Sequence, residues 1–331
     1  MVEAHLIELR ERLSALQALA AVDQLILAGA GLEPVVEALL DRMQPMLRGD
    51  LACIALPSAA AEGAWDLRID TREDGAILRR TLAEERGTDP TEPRAGPVPT
   101  VLRSLGARTL RVRPVILESR RVAILGVGFL DGAPVDASLD GSMDSFAQRL
   151  SLAVARHERE ERLYRQAHYD ALTGLPNRLL FNERFDEELR RVRDGVQGGA
   201  LLYLDLDDFK QVNDSLGHAA GDRMLTVVGQ RLRACVKGSD TVARIGGDEF
   251  TVVLRELPDA TTAQAIARRI LDALSAPIWL GGEGRRIGIS VGIAAFPAEG
   301  LDCDTLLRCA DAAMYRAKRQ GRGLADTRVR G

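Results

Sequence analysis

Three observations predict an α/β (α+β) chain of two domains. The length of 331 residues exceeds that of one ordinary domain. In the second half, apolar or alternating runs at 200–206, 241–245, 250–254 and 287–295 are separated by helical periods at 179–193, 222–236, 262–274 and 304–319. In the first half, two helical periods precede a group of strands, and a third helical period closes it.

Composition narrows the function class. A net charge of −4 speaks against a nucleic-acid surface. The four cysteines (Cys53, Cys235, Cys303, Cys309) are scattered, with no pair at metal-ligand spacing, which suggests a reducing compartment and no disulfide framework. Glu3, Glu8 and Glu11 break any apolar start, so no signal peptide is read. Between Leu13 and Leu32 the only charge is Asp23, but Gln17, Gln24 and many alanines make this an amphipathic or buried helix and not a membrane span. A cytoplasmic location is expected.

The first domain is set at 1–152. Leu6, Leu9, Leu13, Leu16 and Leu19 have helical spacing, broken by Gly29, Gly31 and Pro34. A second helix runs from Glu33 to about Leu47. Strands are expected at 51–56 and 65–69, and a Pro-bearing loop at 88–99. Residues 109–116 and 122–129 form an antiparallel pair, and Pro114 favours an edge position for the first of them. Cys53 lies in an apolar strand and reads as a buried, inert thiol. From Gly141 the helical period returns. Residues 153–169 form a helical linker, with Phe146, Leu150, Val154, Leu163 and Ala167 near one face and charges on the rest; a short coiled coil at a dimer axis and a solvated helix are both open.

The second domain, 170–331, carries the chemistry. Thr173-Gly174 and Pro176-Asn177 are turn dipeptides before a helix from Leu179. The run Leu201-Leu202-Tyr203-Leu204-Asp205-Leu206-Asp207-Asp208 is apolar on both faces, as in a central strand of a covered sheet, and places Asp205 at its carboxyl end. Gly246-Gly247-Asp248-Glu249 joins two strand-like runs as a hairpin whose tip can take positive φ. A tip bare of side chains lets backbone amides approach a phosphate, and the adjoining carboxylates suit Mg²⁺, a hard cation that takes oxygen ligands.

Asp205 and Asp248 could face each other across a two-metal site, which clamps the attacking and leaving oxygens of an in-line displacement. Lys210, Lys318 and Arg322 are counter-charges for a triphosphate. Asn213 and Asp222 offer an amide and a carboxylate, and a carboxylate accepts from the N1–H and amino group of guanine. Each residue also has a structural explanation. Asp207, Asp208 and Asp214 serve as solvated turn acids, Asp222 as the N-cap of a helix starting near it, Asn213 as a turn residue, and Lys318 and Arg322 as partners of a helix dipole. His218 reads as a packing or hydrogen-bonding residue.

The second domain resembles GGDEF-domain diguanylate cyclases. The resemblance rests on Asp170-Ala-Leu-Thr-Gly-Leu-Pro-Asn-Arg178, Asp205-x-Asp-x-Phe-Lys210, Asn213-Asp214, Gly217-His218, Gly221-Asp222, the intact Gly246-to-Phe250 signature, and Lys318 to Arg322. It implies a palm-like fold with a central mixed sheet flanked by helices, acting as a homodimer that condenses two GTP into cyclic di-GMP and two pyrophosphates. It implies two Mg²⁺ (or Mn²⁺) per active site, bound by Asp205, Asp248 and the Leu206 carbonyl with help from Glu249. The catalytic set it implies is Asp248, Glu249 and Lys210. Asn213, Asp222 and His218 would hold guanine; Phe209 through its backbone, Lys210, Lys318 and Arg322 the phosphates; Gly246 and Gly247 the bare tip.

One departure stands out. Many members carry Arg-x-x-Asp shortly before the signature as an inhibitory product site. Here that position reads Lys237-Gly238-Ser239-Asp240, and lysine lacks the planar fork, so weak or absent product inhibition is expected. The first domain resembles a GAF-like sensor, on its order of helices and strands, the turn Phe129-Leu130-Asp131-Gly132 and the Phe146-Ala147 helix start. A PAS-like or other α+β sensor stays open, its ligand is unnamed by the sequence, and a dimerisation module that binds nothing is a nearly equal reading. For the whole chain the alternatives are a catalytically silent regulator that binds GTP or cyclic di-GMP, and a dimerisation scaffold.

Overall fold

In the structure, a computed structural model, residues 17, 19–61, 63–71, 77–83, 97–132, 137–320 and 325–327 are described. The chain divides into two compact units, Met1–Glu161 and Arg162–Gly331.

The first unit is built on β-branched and apolar strands sandwiched by helices. Its elements are α1 (19–27), α2 (Leu32–Leu47), β1 (Leu51–Pro57), β2 (Ala64–Thr71), β3 (Ile77–Ala83), α3 (Pro97–Ser104), β4 (Thr109–Leu117), β5 (Arg120–Phe129) and α4 (Ala137–His168), the last running on past the division. The strands pair antiparallel in the order β3-β2-β1-β5-β4. Pro114 lies on the edge strand β4, where its missing N–H costs no ladder bond to a further strand. Glu118 and Ser119, both at positive φ, close the β4–β5 hairpin.

Ala52, Ile54 and Leu56 face a core shared with Met43, Phe146 and Leu150, while Leu51, Cys53 and Ala55 face α3. α3 sits directly on the sheet because Gly126 has no side chain: a Cβ there would lie 2.4 Å from Val98 Cγ1. Burial pushes the Cys53 thiol up to about 12, as befits an inert thiol. Two elements differ from expectation. The charged stretch after Asp70 contains the strand β3, and the Pro-bearing segment gives way to the helix α3. Phe146, Leu150 and Val154 are buried in this unit's own core, so they are not available to a dimer axis. Most of the helical stretch expected at 6–27 falls on residues outside the described ones.

The second unit contains α5 (Arg178–Arg193), β6 (Gly199–Asp207), α6 (Phe209–Leu216), α7 (His218–Ala234), β7 (Thr241–Arg244), β8 (Glu249–Leu254), α8 (Ala260–Ser275), the short pair β9 (Ile278–Leu280) and β10 (Glu283–Arg285), β11 (Gly288–Phe296), α9 (Cys303–Gln320) and β12 (Ala325–Thr327). Its main sheet runs β12-β11-β6-β8-β7, with β12 parallel to β11 and the other pairs antiparallel. The sheet is therefore mixed and β6 is central.

Side chains alternate between two cores, which explains the unbroken apolar run of β6. Leu202, Leu204 and Leu206 meet Leu225, Val228 and Ile270 of α7 and α8. Leu201 and Tyr203 meet Phe181, Phe185, Ala310 and Met314 of α5 and α9. α9 comes down onto β11 at Gly292, where a Cβ would lie 1.9 Å from Ala310 O and 2.3 Å from Met314 N.

Candidate active site

The alternation that buries Leu204 and Leu206 on one face turns Asp205 to the other. Across the sheet Asp205 pairs with Glu249 on β8 and with Ser290 on β11. Cross-strand partners share a face, so the Asp205 and Glu249 carboxylates stand on the same side of the sheet. The Leu206 amide donates to the Asp248 carbonyl at 3.3 Å, which fixes the hairpin tip against the end of β6. Asp205, Leu206, Asp248 and Glu249 thus occupy one corner at the carboxyl end of the central strand.

Lys318, in the last turn of α9, reaches into that corner. Its Nζ donates to Asp205 Oδ1 at 2.5 Å, with side chains 31% and 15% exposed respectively. Burial raises the Asp205 carboxyl; Lys318 opposes the rise, and the nearby charges of Asp248 and Glu249 add to it. Burial also raises the Tyr203 hydroxyl, and the charge and hydrogen bond of Glu249 reinforce the effect.

The hairpin differs from expectation in its backbone. Neither Gly246 nor Gly247 adopts positive φ. Gly246 leaves room for the Glu249 carboxylate: a Cβ there would meet Glu249 Oε2, the end of a flexible side chain, at 2.5 Å and displace it, whereas a Cβ at Gly247 would have nothing within 4 Å. The Glu249 carboxylate folds back over the tip.

The turn that precedes α5 grips the same hairpin. Arg244 Nη1 donates to both oxygens of Asp170, at 3.0 and 3.1 Å, while its Nε and Nη2 donate to Gly247 O at 3.1 and 2.7 Å. The Arg244 amide donates to Pro176 O at 3.0 Å, and Arg178 Nε donates to Ile245 O at 3.3 Å. Asp170 also accepts from Thr173 N and Oγ1. Burial alone would raise the Asp170 carboxyl, but the bonds from Thr173 and Arg244 outweigh it and hold its pKa low. In the sequence this stretch shows turn dipeptides and the Asp170-to-Arg178 run of the resemblance, with no role for Asp170 or Arg244. An acid three residues before a threonine, and an arginine just ahead of the glycines, were the available signals.

A second cluster lies on α6 and α7. The polar run after Asp208 is a helix, and Gly217, at φ 81°, separates it from the next one. α7 starts at His218, not near Asp222, so Asp222 lies a full turn inside and is no N-cap. Asn213 packs against Gly221: a Cβ there would lie 1.9 Å from Asn213 Oδ1. The close approach of the two helices sets the Asn213 amide beside the residue preceding Asp222. His218 is exposed at the first position of α7, and Lys210 is exposed in the first turn of α6. Phe209 is buried and anchors α6. Asp208 precedes α6 in the left-handed region and its side chain does not cap the helix, so the amides of Phe209 and Lys210 lie at a helix N-terminus directly after the strand end.

Asp207 is another correction. It is no solvated turn acid; it is buried and accepts from Ser290 Oγ at 2.9 Å. Arg322 lies outside the described residues.

Whether this corner suits a divalent cation can be judged from its donors. Among the described residues, no three His, Cys, Asp or Glu side chains are drawn together as a ready-made metal cluster. The donor set nevertheless fits a hard cation: the partly buried Asp205 carboxylate stands beside Glu249 and the Asp248 tip at one strand end, and the donors are all oxygens. Asp205, Asp248 and Glu249, with Leu206 O, are the residues that would hold it.

Residues 167–324 match the family model described as "Diguanylate cyclase, GGDEF domain". The chain is 40% identical over 207 residues to the diguanylate cyclase TpbB of Pseudomonas aeruginosa, a match covering 62% of this chain and 46% of TpbB. The chain spans less than half the length of the curated relatives it matches. It is 43% identical to a solved fragment of TpbB comprising only the GGDEF domain, over 48% of this chain and 94% of the fragment, with a TM-score of 0.47. Against the coiled coil and GGDEF domain of DgcB from Caulobacter crescentus, solved with c-di-GMP, it is 28% identical, covering 57% of this chain and 99% of the other, with a TM-score of 0.50.

Proposed function

Through residues 167–324 the chain belongs to the diguanylate cyclase GGDEF-domain family, and from that premise we propose that it condenses two GTP molecules into cyclic di-GMP with release of two pyrophosphates. In each of two bond-forming events, the 3′-oxygen of one nucleotide attacks the α-phosphorus of the other. The bond to the β-phosphate bridging oxygen breaks, and the hydroxyl proton passes to a base at the Asp248 corner. The observation that supports this most is the convergence of Asp205, Glu249, Asp248 and Lys318 on one strand end. Divalent Mg²⁺ or Mn²⁺ held there would offset the charge on the triphosphate and on the attacking oxygen.

The chain's own residues divide the remaining work. Asn213 and Asp222 read guanine, and Asp222 favours it over adenine, which has no N1–H to donate. The amides at the start of α6 and the ammonium groups of Lys210 and Lys318 hold the β- and γ-phosphates, with Arg322. His218 lines the guanine site. Each catalytic domain binds one GTP, so two copies must face each other and the enzyme works as a homodimer.

The unit Met1–Glu161 takes the part of a GAF-like sensor that biases this placement through α4. Its five-stranded sheet with helices on both faces supports the reading. Leu163 and Tyr164, both exposed on α4, are available to a partner helix. The test is mass spectrometry of GTP incubated with Mg²⁺ and the full chain. Wild type yields cyclic di-GMP and Asp248→Asn does not; GTP bound without turnover by wild type would instead support a silent regulator.

A further inference from the structure

The bond between Lys318 and Asp205 joins the two halves of the proposed chemistry. One partner is a cation assigned to the triphosphate, and the other is a carboxylate assigned to the divalent ion. We propose that Lys318 and the divalent cation compete for Asp205, so that ion loading hands the Lys318 ammonium over from Asp205 to the phosphates and couples the two binding events. The proposal rests on the cyclase reading of this corner and adds an order and a coupling to it.

Three observations carry it. Lys318 Nζ is 2.5 Å from Asp205 Oδ1, a short charge-assisted bond that occupies one of the two oxygens a metal would use. The Lys318 side chain is 31% exposed and ends a helix, so its head can leave without unpacking the core. Lysine is also the right residue for the exchange: a compact ammonium on a flexible stem swings between partners, whereas a guanidinium fork would lock onto one. The helix beneath it does not swing, because α9 is seated backbone to backbone on β11 at Gly292. The exchange is therefore a side-chain movement over a fixed base.

Two acids beside Asp205 make some cation obligatory. Glu249 pairs with Asp205 across the sheet and Asp248 is tied to the adjoining Leu206, so bare loss of Lys318 leaves like charges crowded together, whereas a divalent ion in its place does not. Coupling of this kind is reciprocal: whatever Lys318 subtracts from ion affinity, the triphosphate restores by drawing the ammonium away.

The test measures Mn²⁺ binding to the full chain by the free-ion electron paramagnetic resonance signal, with and without a non-hydrolysable GTP analogue. In wild type, the analogue tightens Mn²⁺ binding. In Lys318→Met, Mn²⁺ alone binds at least about fivefold more tightly than to wild type, and the further gain from the analogue shrinks. Lys318→Arg keeps the charge and retains weak binding of Mn²⁺ alone. Asp248→Asn separates the possible failures. Unchanged Mn²⁺ affinity in Lys318→Met, with binding lost in Asp248→Asn, overturns the exchange and leaves the metal corner standing. Binding that survives Asp248→Asn at full strength overturns both. Circular dichroism of each variant confirms that it is folded.

Discussion

Arg244 holds Asp170 with one guanidinium nitrogen and the Gly247 carbonyl with the other two, across 74 residues of chain. The pair ties the turn that ends α4 to the tip that carries Asp248. Both side chains are mostly buried, at 14% and 23% exposure, so the bond is screened less than a surface pair.

Removing the guanidinium leaves Asp170 charged and short of a partner. Arg244→Ala is expected to lower unfolding stability by about 1–3 kcal/mol, the cost of a buried polar group left unsatisfied. Cyclase activity should fall further than that loss explains, because the tip is no longer fixed. Urea titration and product assays on the same preparation check both; full activity with reduced stability would mean that the clamp does not position the tip.

Asp170 sets a pH dependence. Its folded pKa is lowered, so its contribution is complete above the unfolded value of about 3.9 and is lost as pH falls through the folded value. Asp170→Asn should be less stable than wild type at pH 7, with the gap closing below about pH 4. A gap that stays constant down to pH 3 would contradict this.

Gly221→Ala places a methyl where the Asn213 amide sits. The methyl would also crowd Asn213 Cγ at 2.9 Å and the buried Phe209 Cζ at 3.1 Å, so the two helices must part slightly, at a cost of about 1–3 kcal/mol. Guanine recognition should suffer as well, with KM for GTP up at least tenfold, a loss of about 1.4 kcal/mol. If KM is unchanged, Asn213 does not read the base.

The paired glycines of the hairpin should respond unequally. Gly246→Ala pushes the Glu249 carboxylate off the tip, while Gly247→Ala meets open space. We expect Gly246→Ala to weaken Mn²⁺ binding severalfold, and Gly247→Ala to leave it unchanged. Equal effects would show that the signature glycines act through backbone freedom and not through room for Glu249.

The strands of the second unit were legible because both faces of the sheet are covered. Residues 200–206 could be little else, and in the first unit Pro114 announced the edge strand β4. What escaped was structure whose local signals are weak or misleading. α6 spans eight residues with Phe209 as its buried member, so no apolar stripe marks it. α3 opens with Pro97 and carries Pro99 in its first turn, positions a helix tolerates but a reader takes for a loop. β3 carries Arg79 and Arg80 on an edge strand. At the site, residue types near the strand end pointed to the corner, but the Lys318–Asp205 bond joins positions 113 apart in sequence and only the fold shows it.

The stretch Lys237-Gly238-Ser239-Asp240 bears on product inhibition. Asp240 is buried, and its carboxylate accepts from the amides of Lys237 and Arg255, so it is committed to holding the turn. Cyclic di-GMP should therefore inhibit weakly or not at all. Initial-rate assays with added cyclic di-GMP decide it, and potent inhibition at micromolar concentration would contradict the expectation.

Gly292 has a consequence for any attempt to move this chemistry elsewhere. With no side chain between β11 and α9, two main chains rest against each other like stacked plates, and the gap between them cannot be widened gradually. Even one added methyl would lift α9 and carry its terminal ammonium out of range of its partner. A transplanted or redesigned version must copy that bare spot before it copies any acid, since the missing atom sets the distance over which the charges work.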